Sequence, residues 1–312
     1  MKATELHLLQ LLLLFLGVKM RAFIIFSIFI FGLCAKPIVS VSIPPQAYFL
    51  KQIAQDTLEI NTLIPQGSDP HTFEFKPSTL SSLSKSKLYL TIGLEFEAIW
   101  IPKLKNHLPK TLSITQGIHF LSSQHDHHDH DHDHDHDHDH DHDHDHDHDH
   151  EAYDPHIWLS PKLVKILACN IASILIENFP EHKALYENNL ALFLQKLDSL
   201  DHQITQILSP IKKRKFIVYH PSWSYYAKAY NLVQIPVEIE GKEPKAKELK
   251  TLITLAKKEG IKTIFAQNGF SQSSAKIIAK ACGAEVLITD PLAYEWEKEL
   301  LYITQGLAKW RK

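Results

Sequence analysis

The sequence predicts an α/β protein of two lobes, each a mostly parallel sheet flanked by helices, joined by a long rigid helix with a cleft between the lobes. Three observations carry this. Strand-like and helix-like runs alternate along the chain, the alternation comes in two blocks, and a long strand-free stretch with helical periodicity separates them. In the first block IVSVSI (38–43) reads as a strand and AYFLKQIAQ as a helix. LEINTLI (58–64) and PSTLSSLSKS repeat the pair, the helix with a serine-rich face, and KLYLTIG (87–93) with LEFEAIWIPKLKNH repeats it again. In the second block KFIVYH (215–220) precedes WSYYAKAY, and VQIPVEI (233–239) precedes PKAKELKTLITLAKKEG. KTIFAQN (262–268) then leads into SSAKIIAKACG, and EVLITD (285–290) into a final helix running to the end near Lys312. Between the blocks, Pro161 to Leu208 is helical in pattern and divided by Pro180. Its second part is long enough for one helix of roughly 40 Å at 1.5 Å per residue.

The resulting organisation is a leader over 1–35, an N-terminal lobe over 36–180, a connecting helix over 181–209 and a C-terminal lobe over 210–312. The leader is read from its composition. An apolar run to Val18, a Lys19-Met20-Arg21 break and AFIIFSIFIFGLCA to Ala35 describe a secretory signal peptide, with Met20 as the expected start and cleavage after Ala35. A transmembrane anchor is the alternative, because the two apolar runs together exceed the ~20 residues a span needs. Cys34 is a weak lipidation candidate, since bulky Leu33 precedes it. Export makes the periplasm the expected location. The other cysteines, Cys169 and Cys282, lie in helical patterns far apart and are expected as buried free thiols, with pairing as the alternative.

Residues 125–150 consist only of 14 histidines and 12 aspartates. Removing those 12 aspartates from the net charge of −3 leaves the rest of the chain at +9. That mildly basic body has no dense Lys/Arg cluster with interleaved aromatics, so nucleic acid is excluded as a partner. The run itself offers accessory metal ligands (His125, His127, His128, His130, His132 and His150 among them) in many equivalent registers. It has nothing apolar to bury, so disorder is expected over 124–151, and its sites should be weaker than a preorganised one. Three roles stay open: collecting metal for another site, buffering excess metal, or none. Its position beside His156 favours the first, because a tether guarantees high local concentration.

Four sharper candidates sit at strand ends or in loops, where parallel α/β sheets bind ligands. They are His71 in PQGSDPHTFEF, His156 in YDPHIWLSP, His220 at the end of KFIVYH, and Asp290 at the end of EVLITD. Three imidazoles and one carboxylate suit zinc, whereas manganese and magnesium lean towards more oxygen ligands. Pro70 and Pro155 restrict the backbone before two of the histidines. Each histidine could equally be a solvated loop side chain, and Asp290 a turn or helix cap, because spacing alone does not show that the four converge.

PHTFEFKPS, DPHIWLSP, YHPSWSYYAKAYNL, EIEGKEPKAKEL and FAQNGFSQSSAKIIAKACGAEVLITDPL, in this order, resemble the metal-binding solute-binding proteins of ABC importers, specifically the zinc type (ZnuA-like). The resemblance runs from about Lys36 to the end. It implies metal in the interlobe cleft on His71, His156, His220 and Asp290, Zn2+ as cargo with Mn2+ less fitting, and an importer permease and its ATPase as partners. A monomer is expected. Two departures stand out: Pro70 occupies the place of a glutamate that some zinc members carry, and Gln267 stands where the family usually has glutamate. The fourth ligand is then Asp290 or water. The competing functions are a manganese- or iron-binding member of the same family, a metal-storage protein built on the histidine–aspartate run, and an exported zinc hydrolase. The hydrolase needs a general base near the metal, yet no HExxH pairing occurs and only Glu74 lies close in sequence to a candidate ligand.

Overall fold

The computed structural model describes residues 35–122, 153–239, 241–268 and 270–309. The α/β body lies in one compact unit that begins at Ile38. Residues 1–34 of the expected leader, and the histidine–aspartate run with the accessory ligands expected on it, lie outside the described residues.

The first sheet contains β1 (Ile38–Val41), β2 (Glu59–Thr62), β3 (Leu88–Thr91) and β4 (Lys110–Ser113), in the order β2-β1-β3-β4 with every pair parallel. The second contains β7 (Lys215–Val218), β8 (Val233–Pro236), β9 (Thr263–Gln267) and β10 (Glu285–Thr289), in the order β8-β7-β9-β10, again all parallel. Numbered within each lobe, both sheets wind as 2-1-3-4. The central strands β3 and β9 are buried at every position, as a sheet covered by helices on both faces requires. The outermost strands β4 and β8 are only half buried, and β8 tolerates Pro236 because it lies at an edge. A two-residue hairpin, β5 (Leu121–Ser122) against β6 (Tyr153–Asp154), pairs the chain on either side of the histidine–aspartate run.

The sequence reading missed β4 because KTLS lacks the apolar alternation of a strand, and missed β5 and β6 because two residues carry no pattern. The helices fall where periodicity placed them: α1 (Pro44–Ala54), α2 (Pro77–Leu83), α3 (Glu95–Leu104), α4 (Pro161–Asn178), α5 (Lys183–Leu208), α6 (Ser224–Ala229), α7 (Ala246–Glu259), α8 (Ser273–Cys282) and α9 (Trp296–Ala308). Pro44, Pro77 and Pro161 open α1, α2 and α4, where a missing N–H costs nothing. Gly260 and Gly283 follow α7 and α8 in the left-handed conformation that ends helices.

Pro180 breaks the central helical stretch, and the chain turns by 119° between α4 and α5. α5 has 26 residues, about 39 Å at 1.5 Å per residue. It buries Tyr186, Asn189, Phe193, Leu197, Leu200, Ile204 and Leu208, a three-four spacing that makes one apolar stripe. That stripe meets α1 of the first lobe and α9 of the second, so the helix packs on both. No single described helix is long and apolar enough to cross a membrane. The cysteine expectation needs correction. Both thiols are free, but Cys169 is exposed and Cys282 only partly buried, because each occupies a flank of its helix rather than the core stripe.

Candidate metal centre

Three segments deliver the histidines. His71 lies in a short 3-10 turn, Pro70–Thr72, on the loop after β2, and the Asp69 side chain accepts its backbone N–H at 3.0 Å. His156 follows β6 and is buried, and Asp154 accepts its backbone N–H at 2.9 Å. His220 sits two residues beyond β7. Its backbone is held by Gln267 at the end of β9: Oε1 accepts the His220 N–H at 3.0 Å, and Nε2 donates to the His220 carbonyl at 2.6 Å and to Ser222 Oγ at 3.2 Å. Gln267, noted in the sequence as a departure, thus holds the backbone of a candidate ligand.

The three side chains converge. One potential ligand atom from each of His71, His156 and His220 lies within 4.8 Å of the others, and among the described residues no other metal-sized group of histidine, cysteine or carboxylate side chains occurs. His71 Nε2 and His220 Nε2 are 3.2 Å apart. A tetrahedral ion with bonds of about 2.0–2.1 Å sets its nitrogens roughly 3.3 Å apart, so this edge already has the required length. The cavity they line with Asp290 and Trp158 has a volume of ≈ 20 Å³, room for about one water-sized body.

Each imidazole uses its other nitrogen on a carboxylate. His156 Nδ1 meets Asp154 Oδ1 at 2.7 Å, His220 Nδ1 meets Glu238 Oε1 at 2.7 Å, and His71 Nδ1 meets Glu95 Oε2 at 3.3 Å. A proton on Nδ1 in each pair leaves the Nε2 lone pair free for a cation and raises its basicity. Two facing Nε2 lone pairs repel unless a cation lies between them, so the donor set fits a metal ion. Burial pulls His156 below the usual histidine range, against the opposing pull of Asp154, which favours the neutral, ligating form. For His71 burial acts downward too, but the Glu95 hydrogen bond and charge, with Asp69 and Glu238 nearby, leave it above its ordinary value. Glu95 is correspondingly held low, first by its hydrogen bond to His71.

Asp290 lies just past β10 and lines the same cavity, outside the three-histidine group. Its Oδ1 accepts the Leu292 N–H and its Oδ2 accepts Gln66 Nε2, both at 3.0 Å. Glu74, the only base candidate near His71 in sequence, is exposed. Asp154, Glu238, Glu95 and Gln66 were not found by sequence reasoning. For Asp154 a signal existed: Asp-Pro-His occurs at 69–71 and again at 154–156, and in both the aspartate caps the histidine N–H. Contacts also cross between the lobes near the site: Trp158 Nε1 donates to the Pro291 carbonyl and Trp296 Nε1 to the Trp158 carbonyl, both at 2.8 Å.

Two wound sheets joined by α5, with three carboxylate-backed imidazoles around an ion-sized cavity, define a class: two-lobed proteins that hold a metal ion in a cleft. The chain belongs to the family described as zinc-uptake complex component A, periplasmic, whose profile matches residues 39–305. This is a family of uptake components, not of enzymes. The chain is 30% identical over 269 residues to the high-affinity zinc uptake system protein ZnuA of Bacillus subtilis strain 168, covering 83% of this chain and 81% of that protein. It is 31% identical over 260 residues to the zinc-binding protein AdcA of Streptococcus pyogenes serotype M3, covering 82% of this chain and 50% of the relative, so it spans about half of AdcA. Among solved structures, a crystal structure of ZnuA is 42% identical, with a TM-score of 0.78, over 89% of this chain and 100% of that one. A zinc-bound ZnuA lacking residues 138–173 of its own chain is 42% identical with a TM-score of 0.75, over 88% of this chain and 97% of that one.

Proposed function

We propose that this protein is the periplasmic zinc-capturing component of an ABC importer, binding one Zn2+ and delivering it to a membrane permease driven by its ATPase. The ion is held by Nε2 of His71, His156 and His220, with Asp290 as fourth ligand. The observation that carries this reading is the convergence of three imidazoles, each backed by a carboxylate, on a ≈ 20 Å³ cavity. A shell filled by protein ligands suits binding and release, whereas zinc catalysis needs an open position for water. Residues 1–35 are the export leader, and the working chain is one lobe to residue 180, the helix over 181–209 and one lobe from 210. The cross-lobe hydrogen bonds of Trp158 and Trp296 support a small closure on loading rather than a wide hinge. The histidine–aspartate run gathers zinc beside His156 and is accessory to the cleft.

Calorimetric titration at pH 7 of the exported chain and of a variant lacking residues 125–150 tests this, with manganese as control. One tight zinc site surviving the deletion, with manganese much weaker, supports the cleft reading. Loss of all tight zinc binding with the run would make the protein a metal buffer and end the transport reading.

A further inference from the structure

Gln66 has no part in the zinc reading so far, yet its side chain hydrogen-bonds Asp290 from the His71 loop. Ser68 N–H bonds back to the Pro65 carbonyl at 3.3 Å, and Gly67 has φ +79°, so residues 65–68 form a tight turn with the left-handed position at its third residue. Glycine takes that conformation without strain. The turn presents Gln66 from the first lobe towards the second, where Nε2 donates to Asp290 Oδ2 at 3.0 Å. Asp69 and His71 follow directly, so one short loop carries both a ligand and a clasp on the candidate fourth ligand. Asp290 is then held twice, with the Leu292 N–H on its other oxygen. Each carboxylate oxygen can accept more than one partner, so a doubly held Asp290 can still bind a cation while its direction is fixed.

Gln66 and Asp290 also face a second, wider cavity of ≈ 630 Å³ on the α9 side, which shares Asn268 and Asp290 with the ion-sized one. The hydrogen-bonded pair therefore stands where the two cavities meet. Resting on the reading of Asp290 as fourth ligand, we infer that Gln66 is a positioning residue: its amide aims the Asp290 carboxylate at the ion and ties Asp290 to the His71 loop, so that the two ligands engage and release zinc together.

The test is a cycle of Gln66→Ala, Asp290→Ala and the double variant in the full chain. Three quantities are read: zinc affinity, the rate of zinc loss to a chelator, and the visible absorption of the first equivalent of Co2+. Outer partners of metal ligands typically contribute 10–100-fold in affinity, and this one is exposed, so Gln66→Ala should weaken zinc about 10-fold and speed its loss. The Co2+ spectrum should move towards that of Asp290→Ala, and Gln66→Ala should have no further effect in the Asp290→Ala background. Independent, additive effects, or a Gln66→Ala spectrum identical to the parent's, would overturn the inference while leaving Asp290 as ligand. An Asp290→Ala variant with unchanged affinity and spectrum would remove the fourth ligand from the zinc reading, and this inference with it.

Discussion

The two lobes wind in the same order, 2-1-3-4, yet they present their candidate ligands differently. In the second lobe His220 stands two residues beyond the first strand, and almost everything about it is fixed. Gln267 holds its N–H and carbonyl, buried Glu238 holds Nδ1 at 2.7 Å, and Phe270 stacks on the ring at 4.8 Å with planes 12° apart. In the first lobe His71 comes from the loop after the second strand, and its partner Glu95 is 55% exposed and 3.3 Å away. His156 resembles His220 rather than His71, since Asp154 binds both its backbone and its ring. Of the three candidate ligands, two are therefore tightly held and the third is held loosely. A centre of that kind can recognise an ion through the fixed pair and complete or open its shell through the third.

The largest expected effect is loss of a fixed ligand. If roughly 10–16 kcal/mol of zinc affinity is shared among four ligands, His220→Ala should cost about 2.5–4 kcal/mol, on the order of 100- to 1,000-fold in Kd by competition titration. His71→Ala should cost less, because water reaches its side of the cleft. An equal or greater loss for His71→Ala would break the comparison. Next come the carboxylate partners. Glu238→Gln should weaken zinc within the 10–100-fold range of outer-shell partners, and exposed Glu95→Gln by only about threefold. Calorimetry showing the reverse order would mean that burial of the partner does not decide rigidity.

Smaller effects follow on stability. Gln267→Ala strips the His220 N–H of its partner inside the fold and should cost about 1–3 kcal/mol in denaturant unfolding of the metal-free protein. Gln267→Glu should also destabilise, because a carboxylate would face the His220 carbonyl that the amide now serves. An unchanged unfolding midpoint would show that the loop is held by other contacts. The least effect concerns Glu299, whose carboxyl is pushed up to about 7 chiefly by burial, with the charge of Asp290 adding to it. Its folded value lies above its ordinary unfolded one near ~4.3. Its contribution to stability is therefore fully present below that unfolded value and is lost as pH rises through about 7. Glu299→Gln should flatten that decline in Tm between pH 5 and 8, and an unaltered slope would contradict it.

Much of this was legible in the sequence for physical reasons. Central strands such as KLYLTIG and KTIFAQN are buried on both faces, so they read as apolar runs, and α5 declares its buried stripe at three-four spacing. Edge strand KTLS meets water and loses that signature. His71, His156 and His220 stood out as candidates because they lie at a strand end or in loops and because the flanking segments resemble a known family. Their carboxylates did not, although the repeated Asp-Pro-His carried an unread signal for Asp154. Glu238 is 18 residues from His220 and Glu95 is 24 from His71, and such pairs are created by the packing of separate elements. Cys169 is exposed, against the expectation of a buried thiol, because it lies on the flank of its helix that faces solvent.

The most direct test of the claim that the cleft is the working site is anomalous diffraction at the zinc edge from crystals of the protein loaded with one equivalent of zinc. A single strong peak is expected about 2.0–2.1 Å from Nε2 of His71, His156 and His220. A first equivalent bound elsewhere, with those three imidazoles empty, would contradict it.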